Sequence, residues 1–102
     1  MPIPGSPGIP YDWEIVIANC DELSKYAHNV VDAAANFLRI ANDPTRSRAD
    51  RTGARIAVML LSKKYDLISF MWTKVKGCGD ASDLPPYPGV IAEETWPPKF
   101  PG

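Results

Sequence analysis

Histidine and cysteine are scarce in this chain: 102 residues hold one histidine, His28, and two cysteines, Cys20 and Cys78. One imidazole and two distant thiols cannot assemble a tetrahedral nitrogen–sulfur metal site, and no His-Glu-x-x-His pair occurs. The Glu-x-x-His pairs that face a bundle core in carboxylate metal proteins are missing as well. No Gly-x-Ser-x-Gly elbow is present, and nothing near His28 resembles a strained nucleophile turn, so Ser-His-Asp and Cys-His chemistry has no seat. Phosphate-cradling glycine loops are also lacking, because the Gly77-Cys78-Gly79 turn ends a helical stretch where such a loop would open one. These absences exclude most catalytic chemistry. The chain reads as a non-enzyme with neither cofactor nor metal.

Long hydrophobic runs are equally absent. None reaches the roughly 18 residues that span a bilayer, and the best candidate, 54–72, is broken by Lys63, Lys64 and Asp66. The opening MPIPGSPGIP has neither the basic nor the apolar region of a signal peptide. Two thiols without a secretion signal read as free cysteines in a reducing compartment, hence a cytoplasmic protein (host cytoplasm or virion if the source is viral). Cys20 falls on an apolar stripe and Cys78 in an accessible turn.

What the chain does contain is proline, unevenly placed. Four of the eleven prolines lie within residues 2–10, six within 85–101, and only Pro44 falls between. Proline removes a backbone donor and clashes with the preceding helical turn, so 11–43 and 45–84 are the stretches free to be helical. The length supports a single domain, organised as a Pro-rich arm over 1–11, a helical hairpin over 12–79 and a Pro/aromatic-rich arm over 80–102.

Val16, Cys20, Leu23, Ala27, Val30, Ala34, Phe37 and Ala41 recur at steps of four and three, the spacing of one helical face. Two starts compete for this helix. Asp12 can cap a helix of about 29 residues, whereas Asn19 with Glu22 forms a capping-box pattern that leaves 13–17 extended. Because the heptad continues through Val16, the longer helix is expected. A second seam, Ala54, Val58, Leu61, Tyr65, Ile68, Trp72 and Val75, ends with Lys74 and Lys76 in the last turn and Gly77 as the C′ residue. Its start is either Asp43-Pro44 or Ser47 with Asp50. Since apolar packing begins only near residue 54, a connection around 42–47 followed by a solvated turn is expected.

The fold class is therefore all-α, a long antiparallel two-helix hairpin with extended arms. Folding about 43–44 sets Ala33–Ala35 opposite Gly53, Ala54 and Ala57, so close backbone approach is the expected reason for a glycine inside a helix, where it costs about 1 kcal/mol. The same register separates Cys20 from Cys78 by more than about 15 Å along the axis, too far for a bridge.

The second helix is greasier than one neighbour requires. Thirteen of the nineteen residues from 54 to 72 are apolar or aromatic, well beyond the roughly 100° stripe that a single partner helix covers. Beside the seam runs a further row, Ile56, Leu60, Leu67 and Phe70 or Met71. Leaving four or five such side chains in water forfeits most of a small domain's stability, at roughly 1.5–3 kcal/mol each. Cover must come from the C-terminal arm, with Leu84, Tyr87, Val90, Ile91, Trp96 and Phe100, from a second copy, or from another protein. The expected interface is Ile56, Leu60, Leu67, Phe70 and Met71, joined by Tyr87 and Trp96.

Charge is near balance overall, −1, but segregated. Residues 46–76 carry eight bases and two acids, flanked by acidic segments on both sides. Arg46, Arg48, Arg51 and Arg55 cluster at the start of the second helix, where an anion or nucleic acid could be held. The pI of about 5.7 and the absence of interleaved aromatics favour intramolecular or intersubunit charge balance instead. Leu84-Pro85-Pro86-Tyr87-Pro88 contains strings that proline-groove domains read. In size and layout the chain resembles small secreted helical-hairpin proteins with a Trp-x-Gly turn, but its connection, Asn42-Asp43-Pro44-Thr45-Arg46, lacks that turn and nothing is carried over. The function expected is a non-catalytic helical interaction protein: a small structural or accessory subunit, phage or viral in style, or an inhibitor that occludes a partner surface. The alternative is nucleic-acid or anion binding through the arginines.

Overall fold

The computed structural model describes residues 8–88. Within them the protein is all-α, without strands: α1 spans Asp12–Ile17, α2 Cys20–Ala41 and α3 Arg48–Phe70. A π-helical turn, Met71–Val75, prolongs α3, and a short 3-10 turn covers Ala81–Asp83.

The long first helix expected from Asp12 is divided in two. Ala18 and Asn19 are extended, with ψ near 147° and 178°. At Asn19 the competing capping box wins: its side-chain oxygen accepts from the Glu22 amide at 2.8 Å, and the Glu22 carboxylate accepts from the Asn19 amide at 3.0 Å. Two otherwise orphaned donors are satisfied at once, which a helix running through this point would not need. Residues 13–17 nevertheless form a helical turn of their own, its entry closed by the Tyr11 amide donating to the Glu14 carboxylate at 2.9 Å. The break reorients α1 so that Ile15, not the expected Val16, enters the core, while Val16 stays exposed. Lys64 on α3 reaches Asp12 at 3.0 Å and fixes α1 beside α3.

The connection 42–47 is organised by Asp43, whose carboxylate accepts from the Thr45 amide and hydroxyl at 2.9 and 2.6 Å. Those bonds, with Arg46 and Arg51 adding positive charge, hold the Asp43 carboxyl below its ordinary pKa. Asp43 thus serves a turn, and Ser47 caps α3 by accepting from the Asp50 amide at 3.0 Å.

α2 and α3 pack along each other as the principal pair. Leu23, Ala27, Val30 and Ala34 of α2 meet Leu61, Ile68 and Met71, with Ile15 of α1 and Leu84 completing the core. Gly53 departs from expectation: it is exposed, and a Cβ placed there would find no atom within 4 Å. No close backbone approach explains it.

The largest correction concerns the thiols. Cys20 and Cys78 form a disulfide, with Cα atoms 5.7 Å apart. The expected separation assumed that the second helix ran straight on to Cys78. Instead, the Lys76 amide bonds back to the Met71 carbonyl at 2.8 Å, Gly77 turns left-handed at φ +60°, and the Cys78 amide reaches the Trp72 carbonyl at 2.7 Å. The chain doubles back at once, returning Cys78 to the first residue of α2.

Candidate interaction surface

From this reversal residues 80–88 run back along α3. The Trp72 indole donates to the Asp80 carbonyl at 3.0 Å, the Tyr65 hydroxyl to the Pro85 carbonyl at 2.6 Å, and the Tyr87 hydroxyl to the Val58 carbonyl. Partners on α3 step from 72 to 65 to 58 as the strap advances from 80 to 87, so the strap, after its 3-10 turn at Ala81–Asp83, runs antiparallel to the helix. Leu84 is buried beneath it, and the Tyr65 and Tyr87 rings meet at 5.3 Å. Burial, with the charge of Asp66 adding to it, pushes the Tyr87 phenol up to about 12. Tyr65 is raised for the same two reasons, and Tyr26 mainly by burial.

The strap covers the seam side of α3 and leaves its outer row open. Among the described residues, Ile56 is 44% exposed, Leu60 58% and Phe70 54%. They sit on the helix opposite Ala54, Val58, Leu61 and Ile68, which face α2. The other expected interface residues separate from this row. Leu67 is half-buried against the core, Met71 is a core residue, and Tyr87 is spent on the strap. Trp96 lies outside the described residues, as do Val90, Ile91 and Phe100. Of seven expected positions, three therefore form the open face.

Further large apolar side chains are exposed that were not anticipated as interface. Trp13 and Ile17 of α1 are 61% and 69% exposed, with Trp13 stacked on Tyr11 at 6.4 Å. Their signal in the sequence was the capping box at Asn19: a break there frees 13–17 from the α2 stripe. Phe37, assigned to the seam by spacing, lies at its solvent edge.

The arginines are dispersed in role. Arg46 pairs with Asp43 at 3.8 Å, and Arg48 is exposed in the first turn of α3. Arg51 and Arg55 are half-buried, and the Arg51 Nε is shielded without a partner. His28 is exposed, its Nδ1 2.8 Å from the Ser24 carbonyl oxygen. No three His, Cys, Asp or Glu side chains converge as metal ligands among the described residues, and no helix there is long and apolar enough to cross a membrane.

Comparison with known protein families, curated proteins and solved structures finds no match. The surface itself must carry the functional argument.

Proposed function

We propose that this is a non-catalytic interaction protein whose docking surface is the outer face of α3. One observation carries the reading: Ile56, Leu60 and Phe70, three large apolar side chains on one helical stripe, stand open among the described residues. An apolar stripe of this kind on a small domain marks a contact surface. The α2–α3 pair acts as a rigid hairpin body and the Pro-rich ends as arms that tie it to a neighbour, with a second copy of the chain the simplest partner. Sedimentation velocity over a range of concentrations tests this directly. The wild-type chain is expected to associate, and Leu60→Glu with Phe70→Glu to stay monomeric with unchanged helical circular dichroism. A wild-type chain that remains monomeric throughout and captures no protein through this face would overturn the reading.

The compartment inferred here is an oxidising one. The cytoplasmic expectation rested on two free thiols, and disulfides persist where glutathione and thioredoxin do not keep cysteines reduced. Nucleic-acid binding remains the second reading, resting on the stripe Arg48, Arg51 and Arg55. Half-burial of two of these side chains and the pairing of Arg46 with Asp43 weaken it. A duplex titrated at low and moderate salt separates the two, since phosphate-driven binding falls steeply with salt and apolar docking does not.

A further inference from the structure

The open row on α3 is not uniformly apolar. Ile56, Leu60, Lys63, Leu67 and Phe70 recur at steps of four and three, the spacing of a seam along which two helices pack. An exposed ammonium therefore stands at its middle. Asp66, also exposed, lies one turn beyond Lys63 at the edge of the row, on the side where its charge bears on Tyr65 and Tyr87. Neither Lys63 nor Asp66 forms an ion pair among the described residues, where the pairs are Asp43 with Arg46 and Asp12 with Lys64. A single polar residue in an apolar seam costs stability and fixes how a partner lies.

These two charges discriminate between ways of covering the row. A parallel second copy sets Lys63 against Lys63, since each residue then faces its own counterpart. An antiparallel copy whose two-fold axis is level with Lys63 does the same, although it stacks Ile56 on Phe70. Moving the axis two residues along, level with Tyr65, removes the clash. Phe70 then faces Leu60 of the partner subunit, and Lys63 lies about 1.5 Å along the axis from the level of the partner's Asp66. Packed helix axes lie about 8–10 Å apart, a gap that a lysine side chain crosses. Ile56 falls opposite the aliphatic stem of the partner's Lys74. A two-fold axis makes each contact twice, so one face supplies both halves of two ion pairs and of two Leu–Phe contacts. A foreign helix would have to bring its own carboxylate to that level; a second copy already carries it. We propose that α3 packs antiparallel on α3 of a second copy about this axis, with Lys63 pairing with the partner's Asp66. This pairing rests on the α3 docking face proposed above and gives it a partner, an orientation and a register.

Charge reversal in the full oxidised chain, read by sedimentation equilibrium, is the test. Lys63→Glu and Asp66→Lys are each expected to weaken self-association by about tenfold or more, because each places two like-charge contacts in the interface. Mixing the two variants is expected to restore association, since every contact in the mixed dimer again joins opposite charges. The double variant K63E/D66K is expected to self-associate as the wild type does. Both positions are exposed, so helical circular dichroism is expected to stay unchanged. Single variants that associate as tightly as the wild type, or a mixture without rescue, overturn the pairing. The docking face itself falls only if Leu60→Glu with Phe70→Glu also leaves association intact. A wild-type chain that is monomeric at every concentration overturns the pairing too, and capture of a foreign protein would then preserve the face alone.

Discussion

Tyr87 couples this fold to alkaline pH. An ordinary tyrosine ionises near 10, whereas burial and Asp66 push Tyr87 up to about 12. The folded value lies above the unfolded one, so stability is intact below about pH 10 and is lost as pH rises from about 10 toward 12. Denaturant midpoints across that interval are expected to fall, and ultraviolet titration of phenolate to show late ionisation whose last component Tyr87→Phe removes. At neutral pH the same substitution is expected to cost about 1 kcal/mol, the net worth of one hydrogen bond. What made Tyr87 candidate interface in the sequence was its aromatic ring among prolines. Composition does not reveal that its hydroxyl would find a helix carbonyl 29 residues away. Ile56, Leu60 and Phe70 were legible because they exceed what one neighbour helix can cover, an inference that needs only helical period. Met71 was not separable from them, since it follows the core residue Ile68 by three positions and lies between seam and outer row, so only its packing places it in the core.

At the scale of elements, each boundary was written in a local motif, and the difficulty was choosing between motifs. Asn19 with Glu22 defeats the heptad through Val16 because reciprocal capping satisfies two donors, whereas one apolar position can be supplied equally well by Ile15. Asn19→Ala is accordingly expected to destabilise the protein by about 0.5–2 kcal/mol, read by chemical denaturation, with helical content otherwise preserved. Asp43 and Ser47 competed for the start of α3, and the Asp43–Thr45 turn removes Asp43 from contention. The strap was visible only as a list of apolar residues among prolines. Its docking rests on Leu84, 4% exposed, and Leu84→Ala is expected to cost about 2–4 kcal/mol in the same assay.

For the whole molecule, the disulfide sets the stability. It closes a loop of 58 residues, for which restriction of the unfolded chain is worth about 4 kcal/mol, a large share of the roughly 5–15 kcal/mol available to a domain. Reduction by dithiothreitol, or Cys20→Ser with Cys78→Ser, is expected to lower Tm by roughly 15–30 °C. Straight-axis reasoning from the sequence missed the bridge because a left-handed Gly77 and a π-helical turn reverse the chain within three residues. That closure also has a mechanical meaning. If the molecule were pulled by its two ends, load would pass across one sulfur–sulfur link and bypass every residue between Cys20 and Cys78. About 200 Å of polypeptide would be spared from stretching, so an assembly that used the arms as tethers could be strained hard while its helical body stayed unloaded.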